Sequence, residues 1–187
     1  HTKEKKYPSN FPPPQKKNMK TLIFDLDETL VHSSENAPNS NIQYFKVGNP
    51  PFYVQKRPGL DDFMKKYSKL FDIFIFTSSD KTYADSIINV ICPFVDSSHR
   101  LYRSSCSVEN NVIHKDLNAF KRPDNSIILI DDNFALKKFH PNNTIIVQKW
   151  NGTQRDSTLT KWLPSILDQC LKSDDVSDKS KYEQYVS

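Results

Sequence analysis

The chain has 187 residues, with 26 Lys+Arg against 22 Asp+Glu and a formal net charge of +4. That length suits one domain with a tail at either end. No apolar run approaches the roughly 18 residues of a membrane span, and the 3 glycines form neither a G-x-G-x-x-G turn nor a P-loop. No secretory signal pattern is present, although the chain opens at His1 rather than Met, as it would after loss of an upstream segment. The modest positive charge favours anionic partners, phosphorylated ones included. Cys92, Cys106 and Cys170 are scattered and odd in number, with no C-x-x-C pair. They read as packing residues of a reducing intracellular compartment, nucleus or cytoplasm. None has an Arg six positions later, so the loop of cysteine-dependent phosphatases is absent.

Residues 1–18, HTKEKKYPSNFPPPQKKN, form a basic Pro-rich leader, expected to be solvated. The globular part spans 19–172, and 173–187 is a polar tail that packs as a final turn or frays. Four apolar runs, Thr21–Phe24, Ile73–Phe76, Ile127–Ile130 and Thr144–Val147, have the pattern of strands buried on both faces. Residues 42–56, within an insert of about 41–56, carry two β-rich pieces around Gly48-Asn49-Pro50 and read as a hairpin placed after the first strand. Pro58-Gly59 then precedes a helical spacing of Leu60, Phe63, Met64, Tyr67 and Leu70. Ser79 or Asp80 caps a helix bearing Tyr83, Ala84, Ile87, Ile88 and Ile91, which Pro93 stops. A last helix occupies about Ser157–Leu171, with Pro164 near its first turn. Strands alternating with helices predict an α/β fold built on a parallel sheet.

In such a sheet ligands bind at the carboxyl ends of the strands. Three of the runs deliver polar clusters there: Asp25-Leu26-Asp27-Glu28-Thr29, Thr77-Ser78-Ser79 and Asp131-Asp132-Asn133. Two like charges roughly 4 Å apart repel by about 4 kcal/mol at an effective dielectric near 20. A cluster of up to four carboxylates therefore binds a hard cation or holds a proton, and oxygen ligands on short turns suit Mg²⁺. A calcium loop fails, because Leu30 stands where its Gly is needed and Asn36 where its closing Glu is needed. A carboxylate kept ionised beside a cation is a nucleophile for a phosphoryl group. A second carboxyl two residues on can protonate the leaving oxygen. Thr77 and Lys115 can supply donors to the phosphoryl oxygens. His32, His99, His114 and His140 lack ligand spacing, and these together with Trp150 and Trp162 read as structural residues.

LIFDLDETLVHSS (22–34) resembles the motif of the haloacid-dehalogenase phosphatases and, more narrowly, of the FCP/SCP family, the small phosphatases of the RNA polymerase II C-terminal domain. KRPGLDDF (56–63), FTSSDKTYAD (76–85), LYRSSC (101–106), HKDL (114–117), LIDDNFALKKFHPNN (129–143) and WLPSIL (162–167) follow that family in order, over about 19–172. The resemblance implies a three-layer fold, a central parallel sheet flanked by helices with a small hairpin insertion. It implies a Mg²⁺-dependent protein serine/threonine phosphatase working through an aspartyl-phosphate. Asp25 would be the nucleophile and Asp27 the general acid and base, its backbone carbonyl on the metal. Thr77 and Lys115 would hold phosphoryl oxygens. Asp25, Asp27 and Asp132 would form the metal site, with Asp131 behind them. Thr29, Ser78, Tyr83 and Arg103 would support the substrate.

The implied partner is a phosphorylated protein or peptide, the polymerase C-terminal domain included, with no direct nucleic-acid contact, no membrane and a monomeric state. The family has an aromatic residue near Glu35, a small apolar one near Asp80 and often Asn at Asp132; the first two departures are acidic and weaken apolar docking. Tyr44, Phe45, Phe52 and Tyr53 could rebuild a platform, and Arg103, Lys81 and Lys56 could meet an acidic peptide. Two rivals stand beside this reading. One is a catalytically weak phosphopeptide-binding or scaffold module like that of an import receptor. The other is a small-molecule phosphatase, against which the small insert between Asp27 and Thr77 counts.

Overall fold

The computed structural model describes residues 4–39 and 41–181. The end of the C-terminal tail, 182–187, and the first residues of the leader, 1–3, lie outside the described residues. The strands are β1 (Lys20–Phe24), β2 (Val31–Ser34), β3 (Tyr44–Val47), β4 (Phe52–Lys56), β5 (Phe71–Phe76), β6 (Arg100–Leu101), β7 (Ser107–Glu109), β8 (Val112–His114), β9 (Ile127–Asp131) and β10 (Thr144–Ile146). The helices are α1 (Leu60–Tyr67), α2 (Lys81–Ile91) and α3 (Leu163–Lys172). A five-stranded sheet runs in the order β10-β9-β1-β5-β6, every pairing parallel. The four apolar runs are its β1, β5, β9 and β10.

Side chains alternate across this sheet, so each strand feeds two cores. Leu22 and Phe24 of β1, Ile73 and Ile75 of β5, and Ile128 and Ile130 of β9 face one core together with Leu60, Phe63, Met64 and Tyr67 of α1, Ala84, Ile87, Ile88 and Ile91 of α2, and Leu163, Ile166, Leu167 and Cys170 of α3. Ile23, Phe74, Phe76, Ile127 and Leu129 face the other core, with Leu101, Leu117 and Phe120. One outer layer is thus three α-helices, and the other consists of short turns plus the leader. Leu70 falls beyond α1 and is 38% exposed, so it is not part of that helix's buried face. The last helix is preceded by a wide π turn, Thr158–Trp162, and Pro164 sits in the first turn of α3.

The leader differs from the solvated arm that its composition suggests. Tyr7 stacks on Phe11 with ring centroids 5.0 Å apart, and Phe11 meets Phe120 edge-on at 5.2 Å. Lys6 N donates to Ser104 O at 3.1 Å, Arg122 donates to Pro13 O at 2.7 Å, and Lys16 pairs with Asp72 at 3.4 Å. Docked in this way, the leader covers the second core where a helix would otherwise be needed. In the tail, Val176 is buried and its N–H donates to Asn125 O at 3.1 Å.

The insert is larger than a hairpin. β3 and β4 pair antiparallel as expected, but β4 also pairs with β2, making a three-stranded sheet β2-β4-β3. β7 and β8 form a separate hairpin whose turn residues Asn110 and Asn111 both have positive φ, 50° and 62°, the backbone that a tight two-residue hairpin requires. Among the described residues no helix is long and apolar enough to cross a membrane.

Candidate active site

The loops after β1, β5 and β9 meet at the carboxyl edge of the parallel sheet around an open cavity of about 690 Å³. Asp25, Asp27, Thr77, Ser78, Lys115, Asp131 and Asp132 all line it. Asp25 follows the last residue of β1, and its N–H donates to Ile130 O at 2.9 Å, which locks the start of the loop to β9. The loop then turns through Glu28, whose φ of 64° reverses the chain. Glu28 N donates to Val31 O at 2.7 Å and Trp150 N donates to Glu28 O at 2.9 Å, with Trp150 itself fully packed beneath. The loop is therefore rigid and buried, unlike a solvated acidic turn.

Lys115 is buried between two carboxylates. Its Nζ donates to Asp25 Oδ1 at 3.0 Å and to Asp131 Oδ2 at 2.5 Å. Asp131 Oδ1 accepts from Asn133 N at 2.9 Å, so both oxygens of Asp131 are taken by the protein. Thr29 Oγ1 donates to Asp132 Oδ1 at 3.0 Å and lies 3.4 Å from Asp25 Oδ2. Thr29 is fully buried and does not line the cavity; it ties the first loop to the fourth motif. Asp27 turns the other way: its Oδ2 accepts from Ser79 Oγ at 2.9 Å and its Oδ1 from Tyr83 OH at 2.6 Å. Tyr83 OH in turn meets Ser33 Oγ at 2.7 Å. The Thr77 hydroxyl accepts from Ser79 N at 3.1 Å, and Thr77 N donates to Leu101 O at 2.9 Å, which fixes that side chain toward the cavity.

Burial pushes the Asp25 carboxyl up to about 7, against the pull of Lys115, with the nearby Asp132 adding to the rise. Burial, with the Asp25 charge behind it, pushes Asp131 up to about 6 while Lys115 opposes. Burial alone would lower Lys115, but the two carboxylates win and hold its ammonium firmly charged.

Asp25, Asp131 and Asp132 each present a carboxylate oxygen, and these atoms lie within 4.8 Å of one another. When all three are ionised against one paired ammonium, two negative charges remain uncompensated. That deficit matches a divalent cation, and the all-oxygen donor set suits a hard one. The residues present therefore fit a metal. The Asp27 carboxylate lies outside the cluster because Ser79 and Tyr83 hold it, leaving its backbone carbonyl as the group it could offer an ion.

Of the other residues picked out by sequence, Tyr83 reaches the site through Asp27, whereas Arg103 does not line the cavity. Lys56 and Lys81 are engaged in surface pairs with Asp61 and Asp85 at 3.1 and 2.5 Å. Cys106 is half-buried beside Thr77, with its thiol pushed up to about 11 by burial, and so is a packing residue rather than a nucleophile. Sequence reasoning missed Asn111, Val112 and Ile113 of the β7–β8 turn and Phe134 and Lys149, all of which line the cavity. The Asn110-Asn111 pair between β-rich residues was the available signal for that turn. Phe134 and Lys149 carried none.

The profile described as "NLI interacting factor-like phosphatase" matches residues 20–177. The chain is 35% identical over 176 residues to a "Probable C-terminal domain small phosphatase" of Dictyostelium discoideum, covering 87% of this chain and 54% of that protein. It is 36% identical over 169 residues to "Phosphatase PSR1" of Saccharomyces cerevisiae, covering 86% of this chain and 39% of that one. The corresponding figures for the "CTD small phosphatase-like protein" of Homo sapiens are 33% over 162 residues, 84% and 58%. The chain thus spans about half the length of these relatives. Among solved structures it resembles Fcp1, "an essential RNA polymerase II CTD phosphatase", with a TM-score of 0.57 at 24% identity over 71% of this chain and 42% of that one. A fission yeast Fcp1 bound to beryllium fluoride gives a TM-score of 0.55 at 19% identity over 88% and 61%. These structural matches establish a shared fold, and with the profile and relatives they place the chain in the NLI interacting factor-like phosphatase family, the FCP/SCP type of haloacid-dehalogenase phosphatase.

Proposed function

We propose that this chain is a Mg²⁺-dependent protein serine/threonine phosphatase that works through an aspartyl-phosphate on Asp25. The observation that carries the reading is the pairing of two unlike carboxyls at one cavity. Asp25 is held by Lys115 on the cavity floor, and Asp27 two residues on is held by Tyr83 and Ser79.

Asp25 attacks phosphorus, and the bond from phosphorus to the seryl or threonyl oxygen breaks as Asp27 delivers a proton to that oxygen. Asp27, now a carboxylate, takes a proton from a water that attacks the phosphorus of the acyl phosphate. The phosphorus–Asp25 bond then breaks, releasing inorganic phosphate and the free carboxylate. Lys115 and the Thr77 hydroxyl supply positive charge and a hydrogen bond to the phosphoryl oxygens. Thr29 and Asp131 position the groups around them. Asp25, Asp132 and the Asp27 carbonyl would hold the metal. When bound, it offsets the negative charge that the three carboxylates share with an incoming phosphate.

The cavity is open, and the small sheet β2-β4-β3 is the insert beside it, which suits a phosphorylated protein segment better than an enclosed metabolite. The relatives' names make the polymerase C-terminal domain the first substrate to try.

The test is hydrolysis of an aryl phosphate with Mg²⁺ or with chelator, for wild type and Asp25→Asn. The expected outcome is metal-dependent turnover that falls by at least about a thousandfold in the variant, while near-isosteric replacement preserves the fold. Turnover retained in Asp25→Asn would move the nucleophile elsewhere. A folded wild type with no turnover would favour a phosphopeptide-binding role.

A further inference from the structure

Next to the catalytic cavity lies a second of about 680 Å³, between the insert sheet and the start of α2. Its walls include Pro50, Pro51, Phe52 and Tyr83, and Glu35 and Asp80 stand among them. Phe52 meets Tyr83 edge-on with ring centroids 5.5 Å apart, so two aromatic rings stand beside the prolines in the apolar wall. Among the described residues no Lys, Arg or His lines this cavity. Neither Glu35 nor Asp80 forms an ion pair among the described residues. Asp80 commits Oδ1 to capping α2, accepting from Tyr83 N at 3.0 Å. A cavity with two unpaired carboxylates and no cation stands out on a chain of net charge +4.

The two cavities share a wall. Tyr83 lines the second cavity and donates to Asp27, which lines the first. Anything seated over Asp25 therefore has its flanking residues beside the second cavity. An extended peptide advances about 3.3 Å per residue, so a side chain one to three positions from the reacting residue reaches it. The chemistry that suits it is a long apolar stem ending in a cation. The stem of Lys or Arg buries against proline and aromatic rings, and the head meets the carboxylates and the face of an aromatic ring. An acidic side chain would be repelled, and a proline would cover the carboxylates without pairing them.

We propose that this cavity selects a basic side chain, Lys or Arg, within about three residues of the phosphorylated serine or threonine, with Glu35 and Asp80 as the specificity-determining residues. The inference rests on the phosphatase reading of the adjoining cavity.

The test uses phosphoserine peptides that differ at one flanking position, carrying Lys, Ala, Pro or Glu, scanned over three positions on either side. Each is measured two ways: kcat/KM on the active protein, and fluorescence anisotropy on an Asp25→Asn background. The variants are Glu35→Gln, Asp80→Asn and the pair; Asn keeps an acceptor for the α2 cap. At one position Lys should outbind Ala by about fivefold, weakening with salt. That preference should fall below twofold in the double variant while aryl phosphate turnover stays within twofold of wild type. The inference is overturned if Lys and Ala bind alike at every position, if Pro or Glu is preferred, or if the double variant keeps the Lys preference. Absence of hydrolysis of both aryl phosphate and peptides by the wild type overturns the phosphatase reading instead, and the anisotropy comparison then decides the cavity's preference by itself.

Discussion

At the scale of single residues, two side chains decide whether the site is built correctly. Tyr83 gives Asp27 Oδ1 its shorter hydrogen bond, 2.6 Å, from α2. Tyr83→Phe removes that donor and keeps the ring, leaving Ser79 as the remaining side-chain donor to Asp27. On the proposed mechanism Asp27 is the proton donor, and misplacing it costs rate rather than binding, so kcat on an aryl phosphate should fall about tenfold or more with KM within twofold. Equal falls in kcat and rises in KM would show that Tyr83 contacts substrate directly. Arg57 is fully buried and works on stability. It makes a bidentate pair with Asp156 at 2.8 and 2.9 Å and donates to Thr29 O, Gln148 O and Thr158 Oγ1 at 3.1, 2.8 and 2.7 Å. It thereby ties the end of the first loop to the chain after β10 and to the turn before α3. Arg57→Leu strands a buried Asp156 and those acceptors, at a cost of about 3–5 kcal/mol. Urea unfolding measures this; a loss under about 1 kcal/mol would place the loop's anchorage elsewhere.

At the scale of elements, α1 starts where only glycine fits. Gly59 has a φ of +84°, and a Cβ there would lie 2.5 Å from Thr160 Cγ2. Gly59→Ala combines a left-handed backbone penalty with a steric one and should destabilise by about 2 kcal/mol or more. The Ala variant paired with Thr160→Ser, which removes the clashing methyl, should recover part of that loss. No recovery would mean that backbone strain accounts for all of it.

The elements that could be read from sequence share one property: a long enough run to average out local ambiguity. β1, β5 and β9 are hydrophobic at successive positions because both faces are covered, and α2 carries a 3-and-4 spacing with Asp80 as its cap. β2, Val31–Ser34, was not legible, because His32, Ser33 and Ser34 carry no β signature; pairing with β4 makes it a strand. β6 has two residues, too few for a period. The leader reads as solvated because composition does not reveal that Tyr7 stacks on Phe11 and Phe11 meets Phe120. The candidate site followed the same logic. Asp25, Asp27, Thr77 and Asp131 were legible from their place just after buried runs. Asn111, Phe134 and Lys149 reach the cavity only through tertiary packing.

At the scale of the molecule, the carboxyl edge of the sheet holds the candidate site, and the opposite edge holds a second charged network that serves the fold. Asp72, near the start of β5, is fully buried. Its Oδ1 receives His99 Nε2 at 3.0 Å and Lys16 Nζ at 3.4 Å, while Oδ2 has no hydrogen-bond partner among the described residues. His99 also pairs with Asp96 at 3.1 Å and stacks on Phe74 at 4.3 Å, with Arg122 over the same ring at 6.0 Å. This network joins the leader, β5 and the turn before β6. Burial alone would raise Asp72, but His99 and Lys16 more than reverse it and hold the carboxyl below its ordinary 3.8. Burial alone would lower His99, but Asp72 and Asp96 more than reverse it and hold the imidazolium above its ordinary 6.5.

A depressed carboxyl stabilises at every pH above its unfolded value and loses that contribution as pH falls through its lower folded value. A raised imidazole stabilises below its unfolded value and loses that contribution as pH rises through its higher folded value. Both contributions are complete between 3.8 and 6.5. His99→Gln keeps a donor for Asp72 and removes the charge. The gap in unfolding free energy between wild type and this variant should be widest near pH 5 and shrink as pH climbs past the raised histidine value. Comparing the two proteins cancels the titration of Asp25 and Asp131, which also moves the wild-type curve. Urea unfolding at about pH 5, 7 and 8.5 reads the gap directly. A gap of one size at all three would mean that His99 holds Asp72 as a neutral donor, leaving Lys16 of the docked leader as the cation that keeps the buried carboxylate ionised.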